Sequence, residues 1–301
     1  MVKIAHIINP VKVTESSDLY NTQPITFKSM IDAKKYANNE NNITLYTTQF
    51  EEDKEIIPAE FKILSNLTRS ILDLNPKFNG KKLPLIKDIF EKFNEVDDAD
   101  YFIYTNVDIA LMPYFYSVVI NYISTGHDAI IINRRRLNKH YSSPNELQIM
   151  YADLGKSHPG FDCFVFKKDL LNKFVLGNIC IGIPFLEATL LHNLVAFAKN
   201  PLIVPDKHLT FHIGMEVMPK RYQPYYLYNR IDFFKNIYPK LKPFFKLKKF
   251  PYAALPIYKR AIKWVLNPSI FTLNYMDLER KNIFEKTKII LNEIRWRILQ
   301  R

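Results

Sequence analysis

The sequence predicts an α/β protein: an open, mixed and mainly parallel sheet flanked by helices, followed by a basic, mainly helical C-terminal extension. Three observations lead there. Strand-like and helix-like segments alternate over roughly the first 200 residues, which is the rhythm of βαβ units. The 301 residues are 48% hydrophobic and include 22 Phe and 18 Tyr, too much apolar surface to leave in water and enough for a sizeable core. Charge is unevenly divided: residues 1–218 carry 23 Lys+Arg against 25 Asp+Glu, whereas residues 219–301 carry 19 against 5, so the formal +12 belongs to the C-terminal part. A near-neutral body over residues 1–218 and a basic, aromatic-rich extension over residues 219–301 are therefore expected, with the boundary near Met218-Pro219.

Each element follows from its pattern. Residues 3–8 form an Ile-rich run and read as the first strand, and they are too short and interrupted for a signal peptide. Residues 25–38 place Phe27, Met30, Ile31, Ala33 and Ala37 at helical spacing, and residues 43–47 return to a strand pattern. A short third strand is expected at 61–64. An amphipathic helix is expected at 84–94, with Leu85, Ile86, Ile89, Phe90 and Phe93 on one face. The acidic turn Asp97-Asp98-Ala99-Asp100 then leads into Tyr101-Phe102-Ile103-Tyr104-Thr105, whose aromatic and β-branched content suits a central buried strand. The uncharged stretch 109–126 contains Pro113, Asn121 and several hydroxyl-bearing side chains, so it reads as a buried helix starting near Pro113 rather than a membrane span. Further strands are expected at 128–133, 162–166 and 208–213, and a helix at 184–198.

Several function classes are excluded by what is missing. No Gly-x-Gly-x-x-Gly follows the first strand, no Gly-x-x-x-x-Gly-Lys-Ser/Thr phosphate loop exists, and no Gly-x-Ser-x-Gly elbow occurs among the seven glycines. Cys163 and Cys180 form neither a disulfide framework nor a zinc spacing, which places the expected setting inside the cell. The pair His208 and His212 lacks the glutamate of His-Glu-x-x-His, which excludes that protease motif.

The chemistry-bearing residues gather at strand ends. Asn106-Val107-Asp108 closes the central strand, and side chains at i and i+2 there point to one side, where both can meet a hard cation or a sugar hydroxyl. The same residue types also serve as turn formers. His158-Pro159-Gly160-Phe161-Asp162 is expected to bend over the crevice and deliver Asp162 to its rim, or to cap a turn with it. Glu187 falls in the first turn of the helix at 184–198, near the positive end of its dipole, where a carboxylate stays ionised and can accept a proton. His212 lies on a strand, either as a ligand or as a satisfied core residue.

With these segments in this order, the chain resembles the nucleotide-sugar-dependent glycosyltransferases of the GT-A fold. Asn106-Val107-Asp108 looks like a relaxed form of their Asp-x-Asp motif, departing from it where Asn106 supplies a neutral ligand. The resemblance covers about residues 1–215. It implies a divalent metal, Mn²⁺ or Mg²⁺, held by Asp108 with Asn106 and His212 against the diphosphate of a nucleotide-sugar donor. It implies Glu187 or Asp162 as the base that deprotonates an acceptor hydroxyl, on a glycan or a lipid-linked acceptor. Asn9-Pro10 at the end of the first strand would cradle the nucleoside, while Lys87 and Arg134, with Arg135 and Arg136 behind it, supply cations for the diphosphate; at most one of the three arginines is expected to touch it. A sugar-phosphate nucleotidyltransferase and a non-catalytic adaptor on the same fold are the competing readings. The former lacks a Gly-rich basic loop after the first strand.

Between Lys220 and Lys263, Asp232 is the single acidic residue among 12 Lys+Arg and many aromatics. This composition fits an interfacial anchor on an anionic membrane more closely than a nucleic-acid surface, so a peripheral, cytoplasmic location at the inner face of a membrane is expected. A closing amphipathic helix is expected over 277–301.

Overall fold

The computed structural model describes residues 2–37, 42–138, 140–214 and 222–266, together with 283, 284, 287 and 291. The charge boundary at Met218-Pro219 and most of the expected closing helix lie outside these residues. Phe284 and Leu291, inside that expected helix, are helical.

Nine strands form one sheet: β1 (Ile4–Ile8), β2 (Ile43–Thr47), β3 (Lys62–Ile63), β4 (Tyr101–Thr105), β5 (Ala110–Leu111), β6 (Ala129–Leu137), β7 (Lys156–Lys167), β8 (Pro201–Val204) and β9 (Thr210–Ile213). Their order is β3-β2-β1-β4-β7-β6-β9-β5, with β8 also paired to β6. Strands β3, β2, β1 and β4 run parallel; β7 is antiparallel to both β4 and β6, and β8 and β9 run parallel to β6. This is the open, mixed, mainly parallel sheet the sequence predicts.

Helices cover both faces, and the period-2 alternation of β4 shows how. Tyr101 and Ile103 face α1 (Leu19–Tyr36) and α3 (Phe115–Ser124), in a core with Phe27, Met30, Phe115 and Val119. Phe102 and Tyr104 face the other way, toward α2 (Ile86–Glu91) and α5 (Leu186–Phe197). There Phe90 stacks on Phe93 at 4.6 Å and on Phe166 at 5.7 Å between ring centroids.

Four differences from the sequence reading have local causes. Helix α1 starts at Leu19 rather than at residue 25, because Gln23 exchanges hydrogen bonds with both backbone groups of Val11 and so holds an extra turn before Pro24. Strand β6 runs on to Leu137, so Arg134, Arg135 and Arg136 are strand residues and not a loop. Strand β7 starts at Lys156, so His158 to Asp162 is not a bent loop but the half of a long strand that crosses the site. The short β5, β8 and α4 (Leu147–Ala152) carry too few residues for a periodic signal.

The basic extension begins with α6 (Gln223–Asp232) and continues through α7 (Tyr238–Leu241) to α8 (Ile257–Leu266). Tyr258 and Phe244 stand exposed, whereas most of its large aromatics turn inward. Phe233, Tyr238, Phe245, Phe250 and Trp264 join the same core as α2 and α5, and they surround the buried His192 or one another. Asn229 donates to the carbonyls of Cys180 and Pro184 and accepts the Cys180 N–H, while Asp232 accepts the Asn178 N–H at 2.7 Å. No helix among the described residues is long and apolar enough to cross a membrane.

Burial also fixes a pH dependence. His6 on β1 is fully buried, with its two ring nitrogens 2.8 Å from the Tyr116 hydroxyl and 2.9 Å from that of Thr105. Desolvation holds its pKa down to about 3, and burial beside Arg134 and Arg136 holds His158 down to about 3 as well. Both are depressed below the unfolded value near 6.5, so the unfolded chain binds more protons in acid. Their contribution is complete above pH 6.5 and falls as pH drops from 6.5 toward 3, by about 1.4 kcal/mol per pH unit for each histidine. Denaturant titrations at pH 7 and pH 5 should show a loss of several kcal/mol, and His6→Gln should flatten that dependence. An unchanged free energy between the two pH values would show that neither imidazole is held neutral.

Candidate functional site

The site forms where β4 ends and the sheet changes direction. Antiparallel pairing sets Thr105 opposite Cys163, which brings Asn106–Asp108 alongside Asp162. Pairing of β6 with β9 sets Arg136 opposite His212, and pairing of β5 with β9 sets Ala110 opposite Phe211. Residues distant in sequence are thereby gathered within one patch at the carboxyl end of β4.

A histidine–carboxylate contact and an ion pair occupy it. His212 Nε2 lies 3.2 Å from Asp108 Oδ2, and Arg134 Nη1 lies 2.6 Å from Asp162 Oδ1. The two carboxyls are driven apart in acidity. Burial alone would raise Asp108, but the His212 hydrogen bond and the charges of His212 and Arg134 outweigh it and keep the group below the usual carboxylate range. Burial raises Asp162, the nearby Asp108 charge adds to this, and Arg134 only partly opposes it. One carboxylate is thus a firm anion and the other a readier proton acceptor, the arrangement by which neighbouring acids take different roles.

Glu187 reaches the same patch from α5. Its Oε1 accepts the Phe161 N–H. A Cβ on Gly160 would sit 2.7 Å and 2.8 Å from the two Glu187 carboxylate oxygens and 3.0 Å from His158 Nε2, so a side chain there would have to displace the Glu187 carboxylate. Phe185, the residue before the helix, has φ of 86° in the left-handed region, and it turns the chain so that Glu187 points back to β7. Gly160→Ala should push the carboxylate off the Phe161 N–H. We expect a stability cost of about 1 kcal/mol but a loss of site function greater than tenfold, since a displacement near 1 Å in a reacting group is that costly. Thermal unfolding together with turnover tests this; full turnover would show that the close approach has no functional part.

The remaining expected residues are placed as follows. Asn106 lies beside Asp108, with the Tyr104 hydroxyl 3.5 Å from its Oδ1. Asn9 and Pro10 are buried at the end of β1, where the Asn9 amide donates to the Thr48 carbonyl and ties β1 to the end of β2. Lys87 pairs with Glu91 at 3.7 Å on α2 and borders Leu171, Asn172 and Lys240; none of these contacts joins it to Asp108 or Asp162. Of the three arginines, Arg134 pairs with Asp162, Arg135 binds Asp206 and the Gly155 carbonyl, and Arg136 donates to the Ser157 carbonyl. His158 was not singled out from sequence. The β6–β7 register shifts over this stretch, so strand alternation alone gives no signal for it.

The donor set suits a divalent cation with few protein ligands. Two cis ligands of an octahedral ion bound at about 2.1 Å stand roughly 3 Å apart, close to the separation of Asp108 Oδ2 and His212 Nε2. Among the described residues no group of three His, Cys, Asp or Glu side chains converges, so the rest of a coordination shell falls to Asn106, water and a ligand's phosphates. Asp162 Oδ2, His158 Nδ1 and His212 Nδ1 are buried without a hydrogen-bond partner, which leaves the patch with unspent polar groups.

No protein-family model matches the sequence, and no curated protein does. Among solved structures the chain is similar to S. aureus TarS 1-349 in complex with UDP-GlcNAc, at TM-score 0.48 and 9% identity over 89% of this chain and 82% of that one. Against the longer S. aureus TarS structure the TM-score is 0.47 at 9% identity, and the match spans 89% of this chain but 54% of that one, about half its length. Glucosyl-3-phosphoglycerate synthase from Mycobacterium tuberculosis, in complex with Mn²⁺, UDP-glucose and phosphoglyceric acid, matches at TM-score 0.42 and 13% identity over 72% of this chain and 73% of that one. These likenesses are distant and assign neither donor nor acceptor to this chain.

Proposed function

We propose that the chain is a glycosyltransferase that moves a sugar from a nucleotide-diphosphate donor to a hydroxyl of a glycan or lipid-linked acceptor. The observation that carries this reading is the gathering of Asp108, His212, Arg134, Asp162 and Glu187 at the carboxyl end of a central strand, the place where open α/β sheets bind their ligands. Asp108 and His212, with Asn106 beside them, are the residues that would hold Mn²⁺ or Mg²⁺. Bound there, the ion offsets the charge that develops on the departing diphosphate. Arg134 supplies the protein's own cation on the same side, and its planar fork suits a phosphate once it turns from Asp162. Glu187 takes the acceptor's hydroxyl proton as the acceptor oxygen bonds to the anomeric carbon and the bond from that carbon to the diphosphate breaks. Such an in-line displacement inverts the anomeric centre. Asp162, more basic than an ordinary carboxylate, is the second residue able to take that proton.

A thermal-shift panel of UDP, GDP and CDP with and without Mn²⁺ tests the donor class directly. A ligand at a hundred times its dissociation constant adds about 2.7 kcal/mol of stability. At least one diphosphate should raise the unfolding midpoint, and more so with the metal. If only nucleoside triphosphates did so, nucleotidyl transfer would replace sugar transfer, and a flat panel would sink both.

A further inference from the structure

We infer that the exposed face of α8, with the lysine-rich turns before it, docks on an anionic lipid surface. Residues 240–264 hold eight Lys and Arg and no Asp or Glu. Helix α8 is moored along one side only: Trp264 is buried and donates to the Pro251 carbonyl at 2.6 Å, and Arg260 stacks over its ring at 5.2 Å while donating to the Ala253 carbonyl. Beside this moored edge Ile257, Tyr258 and Ile262 stand 59%, 64% and 58% exposed. At 100° per residue these three side chains, with Ala261 between them, fall within one 140° arc, and Lys259 lies beyond one edge of it. Lys246 and Lys248 are exposed on the preceding turns.

The occupant follows from which groups remain outside. A nucleic-acid surface needs flat rings on which bases stack, yet Phe233, Tyr238, Phe245, Phe250 and Trp264 are spent in the core. What is left on this face is two isoleucines and the single ring of Tyr258 beside ammonium groups, which matches a hydrocarbon boundary beneath negatively charged headgroups more closely than a row of stacking rings. Lys263, on the far side of the helix, lies over the Tyr252 ring at 5.7 Å and adds to the mooring of α8.

Co-sedimentation of the full chain with vesicles tests this without any assay of turnover. Binding is expected to vesicles of equal parts phosphatidylcholine and phosphatidylglycerol, and to be weaker on phosphatidylcholine alone and in high salt. Ile257→Asp and Ile262→Asp, both at exposed positions, should each weaken binding about tenfold, and Lys259→Gln and Lys246→Gln about fivefold each on the anionic vesicles. Circular dichroism and an unchanged unfolding midpoint confirm the fold of each variant. The proposal is overturned if the parent ignores anionic vesicles, if the isoleucine variants bind like the parent, or if a single-stranded oligonucleotide binds more tightly than the vesicles and displaces them.

Discussion

Asp108→Ala is expected to lower sugar transfer by 10²–10³-fold, the usual effect of removing one preorganised group that faces developing charge. The variant should still fold, because Asp108 lies at the end of β4 with about a quarter of its side chain exposed, outside the packed layers. His212 would lose its 3.2 Å partner, and Arg134 would feel one anion rather than two. Asp162, freed from the repulsion of Asp108, should then titrate lower than in the parent. The measurements are turnover with the donor found in the nucleotide panel, the Mn²⁺ dependence of the thermal shift, and a pH profile. A variant that transfers sugar at the parent rate would remove Asp108 from the site and with it the reading of the strand-end triplet.

What the sequence made legible, and what it hid, divides along physical lines. Periodicity located β1, β2, β4 and α5 because each buries apolar residues in a repeating pattern, and the hydrophobic β4 marked the Asn106-Val107-Asp108 end as the place to look. Asp108 and His212 were paired on resemblance, and the register of β5 against β9 supplies the contact that no local pattern contains. Arg134 could be named only as one of three, since strand alternation decides which arginine faces Asp162, and the strand reaches further than its apolar part. His158 and Gly160 were hidden for a related reason. Pro and Gly read as a bend, whereas here they lie within a twelve-residue strand whose closeness to Glu187 comes from long-range packing. Composition showed the basic extension correctly as a sum, but could not tell which of its aromatics face the core.

That last point carries the second large effect. A chain ending at residue 218 should fail to fold, and Phe233→Ala alone should cost about 3–5 kcal/mol out of a total of about 5–15. Phe233 is fully buried, 5.3 Å from the ring of Phe185 and 5.7 Å from that of His192, so the extension closes the face of α5 that the body alone would leave in water. The attachment is polar as well: a Cβ on Gly177 would lie 2.2 Å from the Asp232 carboxylate, so the loop before α5 is shaped around α6. Removing the extension strips Phe233, Ile237, Leu241, Phe245 and Phe250 from the core, and it leaves the buried Cys180 and Asn178 backbone groups without Asn229 and Asp232. Denaturant unfolding of the full chain should therefore be a single transition, in which Phe233→Ala lowers the midpoint with an unchanged slope. A 1–218 fragment that unfolds cooperatively near the parent midpoint would make the extension an appendage. The expected failure makes it the wall of the core behind α5, the helix that carries Glu187.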